Sequence, residues 1–179
     1  MAKVHAWQSN QPAGWSNQEI TLYHGTTYNA AQDITKGVQR GLSKSKNDFG
    51  PGFYTTTVFD QAKAWAFTIW IRRGQPPQDK PAVVEFVVSR EVLAALQSLW
   101  FVRGDRAADD YWSLVWHCRQ GAANHARSKD SLYDLVIGPV ALQWRALQTM
   151  HDSDQVSFHT DDAVSRLNES KRSIKWSLP

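Results

Sequence analysis

Asp48-Phe49-Gly50-Pro51-Gly52-Phe53-Tyr54-Thr55-Thr56-Thr57-Val58, running on into Phe59-Asp60-Gln61-Ala62-Lys63-Ala64-Trp65-Ala66, changes conformation twice within a few turns of chain. Two glycines around a proline build a fixed turn. The aromatic and β-branched run over 53–58 then predicts a strand. From Phe59 the period changes, because Phe59, Ala62, Ala66, Ile69 and Trp70 recur at spacings of three and four and predict a helix that stops before Arg72-Arg73-Gly74 and Pro76-Pro77.

Upstream, Ile20, Leu22 and Tyr23 predict a strand ending in His24-Gly25-Thr26-Thr27, followed by a helix over 28–36 closed by Gly37 and a loop over 40–52. Downstream, Ala82-Val83-Val84-Glu85-Phe86-Val87-Val88 is the strongest strand signal in the chain. Helices are expected over 91–99 and 109–122 and strands over 132–137 and 156–159. Thr160-Asp161-Asp162 caps a helix reaching Asn168, and 173–178 is the last strand. Strands and helices mix without regular βαβ alternation, which predicts an α+β fold built on antiparallel sheet. The first 18 residues, rich in Asn and Gln with Pro12 and Gly14, read as a polar arm, and 19–179 as one domain.

Composition narrows the function classes. Of 179 residues, 42% are hydrophobic and 21% charged, a globular balance. No apolar run approaches the ~20 residues that span a bilayer, and no secretory leader is visible, so the expectation is a cytoplasmic protein without membrane contact. Cys118 is alone, so neither an internal disulfide nor a cysteine-rich zinc site can form. His117-Cys118 with His125 matches no familiar ligand spacing, and no metal is expected. Lys and Arg number 20 against 17 Asp and Glu, a net charge of +3 that permits a polyanionic ligand without demanding one. No G-x-G-x-x-G links a strand to a helix and no G-x-x-x-x-G-K-[ST] occurs, which argues against the two common nucleotide-cradling loops.

Two clusters carry residue types suited to chemistry. His24-Gly25 offers an imidazole beside a backbone without Cβ, which lets a flat ligand approach the peptide. Behind the Gly50-Pro51-Gly52 turn, Phe53-Tyr54 offers rings that stack on a planar group. Each also has a plain structural reading, as a histidine before a turn and as a loop feeding a half-buried strand.

In this order, Tyr23-His24-Gly25-Thr26 and then Gly52-Phe53-Tyr54 resemble the ADP-ribosyltransferase superfamily, in its diphtheria-toxin and poly(ADP-ribose)-polymerase-like branch. Within it the chain resembles a small bacterial family of toxin-like domains through DFGxGFYTT, the QAxxWA helix (61–66), YDxVIGPVA (133–141) and DQxSFHT (154–160). The resemblance implies a split antiparallel β-sandwich with flanking helices and NAD as co-substrate. By it, His24 meets a ribose hydroxyl, the backbone of Gly25 beside Thr26 pairs with the nicotinamide carboxamide, and Tyr54 behind Gly52 stacks on the ring. Trp65, eleven residues past Tyr54, stands where relatives carry a second sandwiching aromatic, although helical core packing also suits it. Arg40, Lys44 and Lys46 are candidates for the pyrophosphate, or solvated loop cations.

The third site residue departs from the better-known pattern. Where many members carry Glu, this chain has Gln155, which accepts a hydrogen bond without bringing negative charge. The neighbouring Asp154 points to the opposite face of a strand and is no simple replacement. The implied activity is transfer of a single ADP-ribose to a macromolecular acceptor, nucleic acid or protein, in a toxin or defence role that an antitoxin protein would restrain. The alternative is a catalytically inactive module that binds NAD, ADP-ribose or nucleic acid.

Overall fold

The structure, a computed structural model, describes residues 18–39, 46–102, 108–126 and 132–179. The arm over 1–17 and the cations Arg40 and Lys44 lie outside the described residues.

The Ala82 to Val88 run lies in β3 (Pro81–Ser89), buried along most of its length because it is the middle strand of its sheet. It pairs antiparallel with β1 (Glu19–Thr27) from Glu19↔Ser89 to Thr27↔Pro81, and on its other edge with β9 (Lys171–Ser177). A second sheet has the order β2 (Phe53–Thr55), β8 (Gln155–Phe158), β5 (Leu135–Gly138), β4 (Ser98–Trp100). Its first two pairings are antiparallel and the β4–β5 pairing is parallel. A hairpin of β6 (Ala141–Gln143) and β7 (Gln148–Thr149) turns through a 3₁₀ segment, Trp144–Ala146, and Leu147 at φ 53°. The fold is mixed α+β, with five helices among the described residues: α1 (Tyr28–Lys36), α2 (Phe59–Arg72), α3 (Arg90–Ala94), α4 (Ala108–Arg119) and α5 (Asp161–Asn168).

Side-chain alternation along the strands divides the interior into two cores. Leu22, Val84 and Phe86 of the first sheet share one with Leu135, Val156 and Phe158 of the second and with Ala163, Val164 and Leu167 of α5. On the far side of the second sheet, Val136 packs with Phe49 and with Tyr111, Leu114, Val115 and Cys118 of α4. Phe49, Phe86 and Phe158 are fully buried, and truncating any one to Ala costs about 3–5 kcal/mol.

Most elements fall where periodicity predicts them, and the Thr160 hydroxyl caps α5 by accepting from Ala163 N–H at 3.1 Å. Three expectations are corrected. The helix expected over 91–99 stops at Ala94, because Gln97 N–H donates to Asp134 Oδ2 at 3.0 Å and the Gln97 carbonyl accepts from Asp134 N–H at 2.9 Å. That clamp lays Ser98–Trp100 beside β5 in parallel, so the sheets are not wholly antiparallel. The 53–58 strand is three residues long, since Thr56 leaves the β8 ladder to meet β1.

Candidate functional site

The two sheets join at one rung. Tyr23 N–H donates to the Thr56 carbonyl at 2.7 Å and Thr56 N–H to the Tyr23 carbonyl at 2.9 Å. In an antiparallel ladder the groups facing one edge recur every second residue, so the N–H and C=O of Gly25 and of Tyr54 are aimed at each other as the next rung. No such rung is formed among the described residues. Instead His24 Nδ1 lies 2.7 Å from the Tyr54 carbonyl, and the pairing of β1 with the β2 segment is confined to Tyr23 and Thr56.

A carbonyl only accepts, which puts the His24 proton on Nδ1. Burial lowers the His24 pKa from its ordinary value, outweighing the bond to Tyr54, so the ring is neutral at pH 7 and Nε2 keeps its lone pair. Among the described residues Nε2 has no hydrogen-bond partner, and the ring is held flat on Phe53, centroids 4.5 Å apart. His24 is thus a fixed hydrogen-bond acceptor where the ladder opens.

Gly25 carries a second constraint. A Cβ there would lie 1.8 Å from the Ala62 carbonyl oxygen and 2.9 Å from Ala66 N. The small residues of the QAxxWA motif bring α2 against β1, so the space over the Gly25 Cα is filled by the helix. This corrects the expectation that the missing side chain itself leaves room for a ligand. The room lies along the strand edge instead, where its N–H and C=O face. Gln61 of the same motif clasps the start of β8: its Nε2 donates to the Asp154 carbonyl at 2.7 Å and its Oε1 accepts from Asp154 N–H at 3.1 Å. The Asp154 carboxylate takes the Thr56 hydroxyl at 2.6 Å, Thr57 N–H at 2.8 Å and the Thr57 hydroxyl, a tie across the junction. Thr26 is buried on β1. Trp65 is 49% exposed under the Arg72 guanidinium and makes ring contact with neither Tyr54 nor His24 among the described residues.

On the other face of β2, Tyr54 Oη donates to the Gly50 carbonyl at 2.6 Å and accepts from Phe49 N–H at 3.1 Å. Burial holds this hydroxyl well above its ordinary pKa. Tyr54 pairs with Ser157, so by alternation Tyr54 and Gln155 share a sheet face. Gln155 is buried, and its Nε2 donates to Asp48 Oδ2 and to the Pro139 carbonyl, both at 2.8 Å. Oε1 makes no hydrogen bond among the described residues. Asp48, 3% exposed, receives Arg119 Nε at 2.7 Å and Nη2 at 2.6 Å on Oδ1, and Ala141 N–H at 2.8 Å on Oδ2.

A cavity of about 740 Å³, walled by Val38, Gln39, Pro51, Gly52, Asn124 and His159 among others, opens beside the turn that precedes β2. A Cβ at Gly52 would meet His159 Nδ1 at 2.8 Å. His159 Nδ1 lies 2.8 Å from the Pro51 carbonyl and Nε2 2.7 Å from the Ser157 hydroxyl, while the His125 ring stands edge-on to it at 4.4 Å. Asp48 and His159 lie inside the quoted DFGxGFYTT and DQxSFHT motifs, so their presence was visible while their partners were not. Arg119 and His125 carried no local signal. Among the described residues no three His, Cys, Asp or Glu side chains converge as a metal site, and no helix is long and apolar enough to cross a membrane.

The model of a family described as a protein of unknown function (DUF3990) matches residues 20–143, more than half of the chain, and the chain belongs to that family. The match spans His24, Gly25, Asp48 and Tyr54 and ends before Gln155. No curated protein matches the chain.

Proposed function

We propose that this DUF3990 member is an NAD-dependent ADP-ribosyltransferase that moves one ADP-ribose from NAD to a macromolecular acceptor, nucleic acid or protein, on a split β-sandwich whose sheets are mainly antiparallel. The observation that carries the reading is the opened rung between β1 and β2. A carboxamide can turn one of its two N–H groups and its C=O to the same edge, the complement of the Gly25 backbone pair facing that opening, and His24 Nε2 is an acceptor matched to a ribose hydroxyl. Tyr54 walls the ring, with Gly52 and Thr26 at its flanks and Trp65 on α2 as the aromatic for the second face. The cavity beyond Gly52 has room for the remainder of the dinucleotide, and Lys44 is the cation assigned to the pyrophosphate.

The reaction breaks the ribose C1′–N bond, and its electron pair passes to the pyridinium nitrogen, so nicotinamide leaves neutral. The developing cation at C1′ is captured by a lone pair of the acceptor, whose proton goes to solvent; capture by water gives hydrolysis of NAD. His24 and Gln155 orient the sugar, and Gln155 adds no charge to the transition state, which suits a single transfer rather than chain growth. A transferase of this kind, acting on a nucleic acid or on a host protein, fits a bacterial toxin or defence effector held in check by an antitoxin protein.

The second reading, an inactive binding module, is favoured by one observation: no carboxylate stands at position 155, and the Gln155 amide nitrogen is turned inward to Asp48. Incubation with adenine-labelled NAD and cell extract separates the two. Release of nicotinamide with label moved onto nuclease- or protease-sensitive material is expected. Tight NAD binding with no release would install the module reading, and neither binding nor release would remove the transferase and leave only a module for ADP-ribose or nucleic acid.

A further inference from the structure

We infer that Asp48 is a positioning residue that decides which end of the Gln155 amide is presented to the sugar, an inference that rests on the reading of Gln155 as the third site residue. A glutamine can offer either its NH₂ or its carbonyl oxygen. Here both Nε2 hydrogens are committed, to Asp48 Oδ2 and to the Pro139 carbonyl at 2.8 Å each. Turning the amide over would set Oε1 against a carboxylate and a carbonyl, neither of which donates. Oε1 is therefore the end left to accept from a hydroxyl. Asp48 is held rigid in turn, Oδ1 by two Arg119 nitrogens and Oδ2 by Ala141 N–H. These partners also make a buried carboxylate tolerable at that place.

The arrangement explains why glutamine stands where a glutamate would favour the reaction. A carboxylate at 155 would face Asp48 and the Pro139 carbonyl with no proton to share, like charges a few ångströms apart in a buried site. The chain keeps its negative charge at Asp48, compensated by Arg119, and uses it for orientation.

Asp48→Asn, Gln155→Glu and the double variant test this in the full chain. Three readouts are taken: melting temperature, exchange of the Gln155 side-chain amide followed by ¹⁵N NMR and assigned by its loss in Gln155→Glu, and nicotinamide release over a range of NAD concentrations. In Asp48→Asn the Gln155 amide is expected to exchange about tenfold faster or more, as a protected bond is lost. In the same variant kcat should fall about tenfold or more while KM for NAD stays within about threefold, the pattern of an interaction used in the transition state. Gln155→Glu should cost less, in both kcat and melting temperature, when Asp48→Asn is also present. Unchanged amide exchange in Asp48→Asn, or strictly additive effects in the double variant, would overturn the inference. If Asp48→Asn does not fold, Arg119→Met loosens Asp48 from its more exposed side, and unchanged Gln155 exchange there is equally fatal. A parent chain that neither binds nor cleaves NAD removes the transferase reading, while the exchange measurement still decides whether Asp48 holds the amide.

Discussion

Lowering the pH from 7.5 to 5 should destabilise this protein through two neighbouring histidines. Burial is the main cause of the low pKa at both: His159 is pushed down to about 3, with His125 beside it contributing, and His125 to about 4, with His117 contributing. Their hydrogen bonds show why neither ring welcomes a second proton. His125 Nε2 accepts from Tyr133 N–H at 2.8 Å, so a proton there would meet another donor. Its Nδ1 is already a buried atom with no hydrogen-bond partner among the described residues. His159 gives its Nδ1 proton to the Pro51 carbonyl and faces His125 at 4.4 Å, where two imidazolium charges would repel. In the unfolded chain both titrate near the ordinary value of 6.5. The folded pKa is the lower one, so stability is full above about pH 6.5 and is lost as the pH falls from there toward the folded values of about 3 and about 4. At pH 5 each site lies about 1.5 units below its unfolded pKa, and at 1.36 kcal/mol per unit the pair costs about 4 kcal/mol. For a domain of this size that lowers the melting temperature by about 8–16 °C. Calorimetric melts at constant ionic strength check this, run beside His125→Gln/His159→Gln, in which the titration is gone. A double variant whose melting temperature falls between pH 7.5 and 5 as steeply as the parent's would refute the assignment.

Gly25→Ala should destabilise the fold by at least about 1–3 kcal/mol with or without NAD, since α2 must move off the new Cβ; a melt unchanged from the parent would show that α2 does not rest there. His24→Ala should abolish nicotinamide release while costing only about 1 kcal/mol of stability, the net worth of its bond to Tyr54; unchanged turnover would end its role in the site. Tyr54→Phe gives up the hydroxyl's bonds to Gly50 and Phe49, an expected loss of about 1–2 kcal/mol in urea titrations, with NAD affinity within a few-fold. Tyr54→Ala should cost about tenfold in NAD affinity by calorimetric titration, and equal affinity in the two variants would mean that the ring does not stack.

How much of this was legible in the sequence depends on the distance over which each feature is decided. The α2 stripe, the β3 run, the Thr160 cap and the end of α1 at Lys36 are set by residues within a turn or two of one another, and periodicity found them. The helical pattern over 91–99 gives way to the parallel strand Ser98–Trp100 because what overrides the local signal is Asp134, 37 positions from Gln97. The site shows the same division. His24 and Tyr54 were legible as residue types, yet the bond that opens the ladder spans 30 positions, and the Gln155 to Asp48 bond spans 107.

Asp48, Gly25 and Gln61 make the point most sharply, because each sits inside a motif whose letters do not show its long-range partner. The aspartate beginning the turn is the far-side partner of Gln155, the glycine is the seat of α2, and the helix glutamine is a surrogate strand residue pairing with Asp154. Each therefore holds a neighbour in place: the Gln155 amide, the α2 backbone and the start of β8. A motif of this kind holds two sets of residues, those aimed at a ligand and those that hold the first set still. Substitution separates them: loss of a group proposed to meet the ligand, such as His24, should remove turnover with little effect on melting, whereas loss of a supporting group such as Gly25 should lower melting with no ligand present.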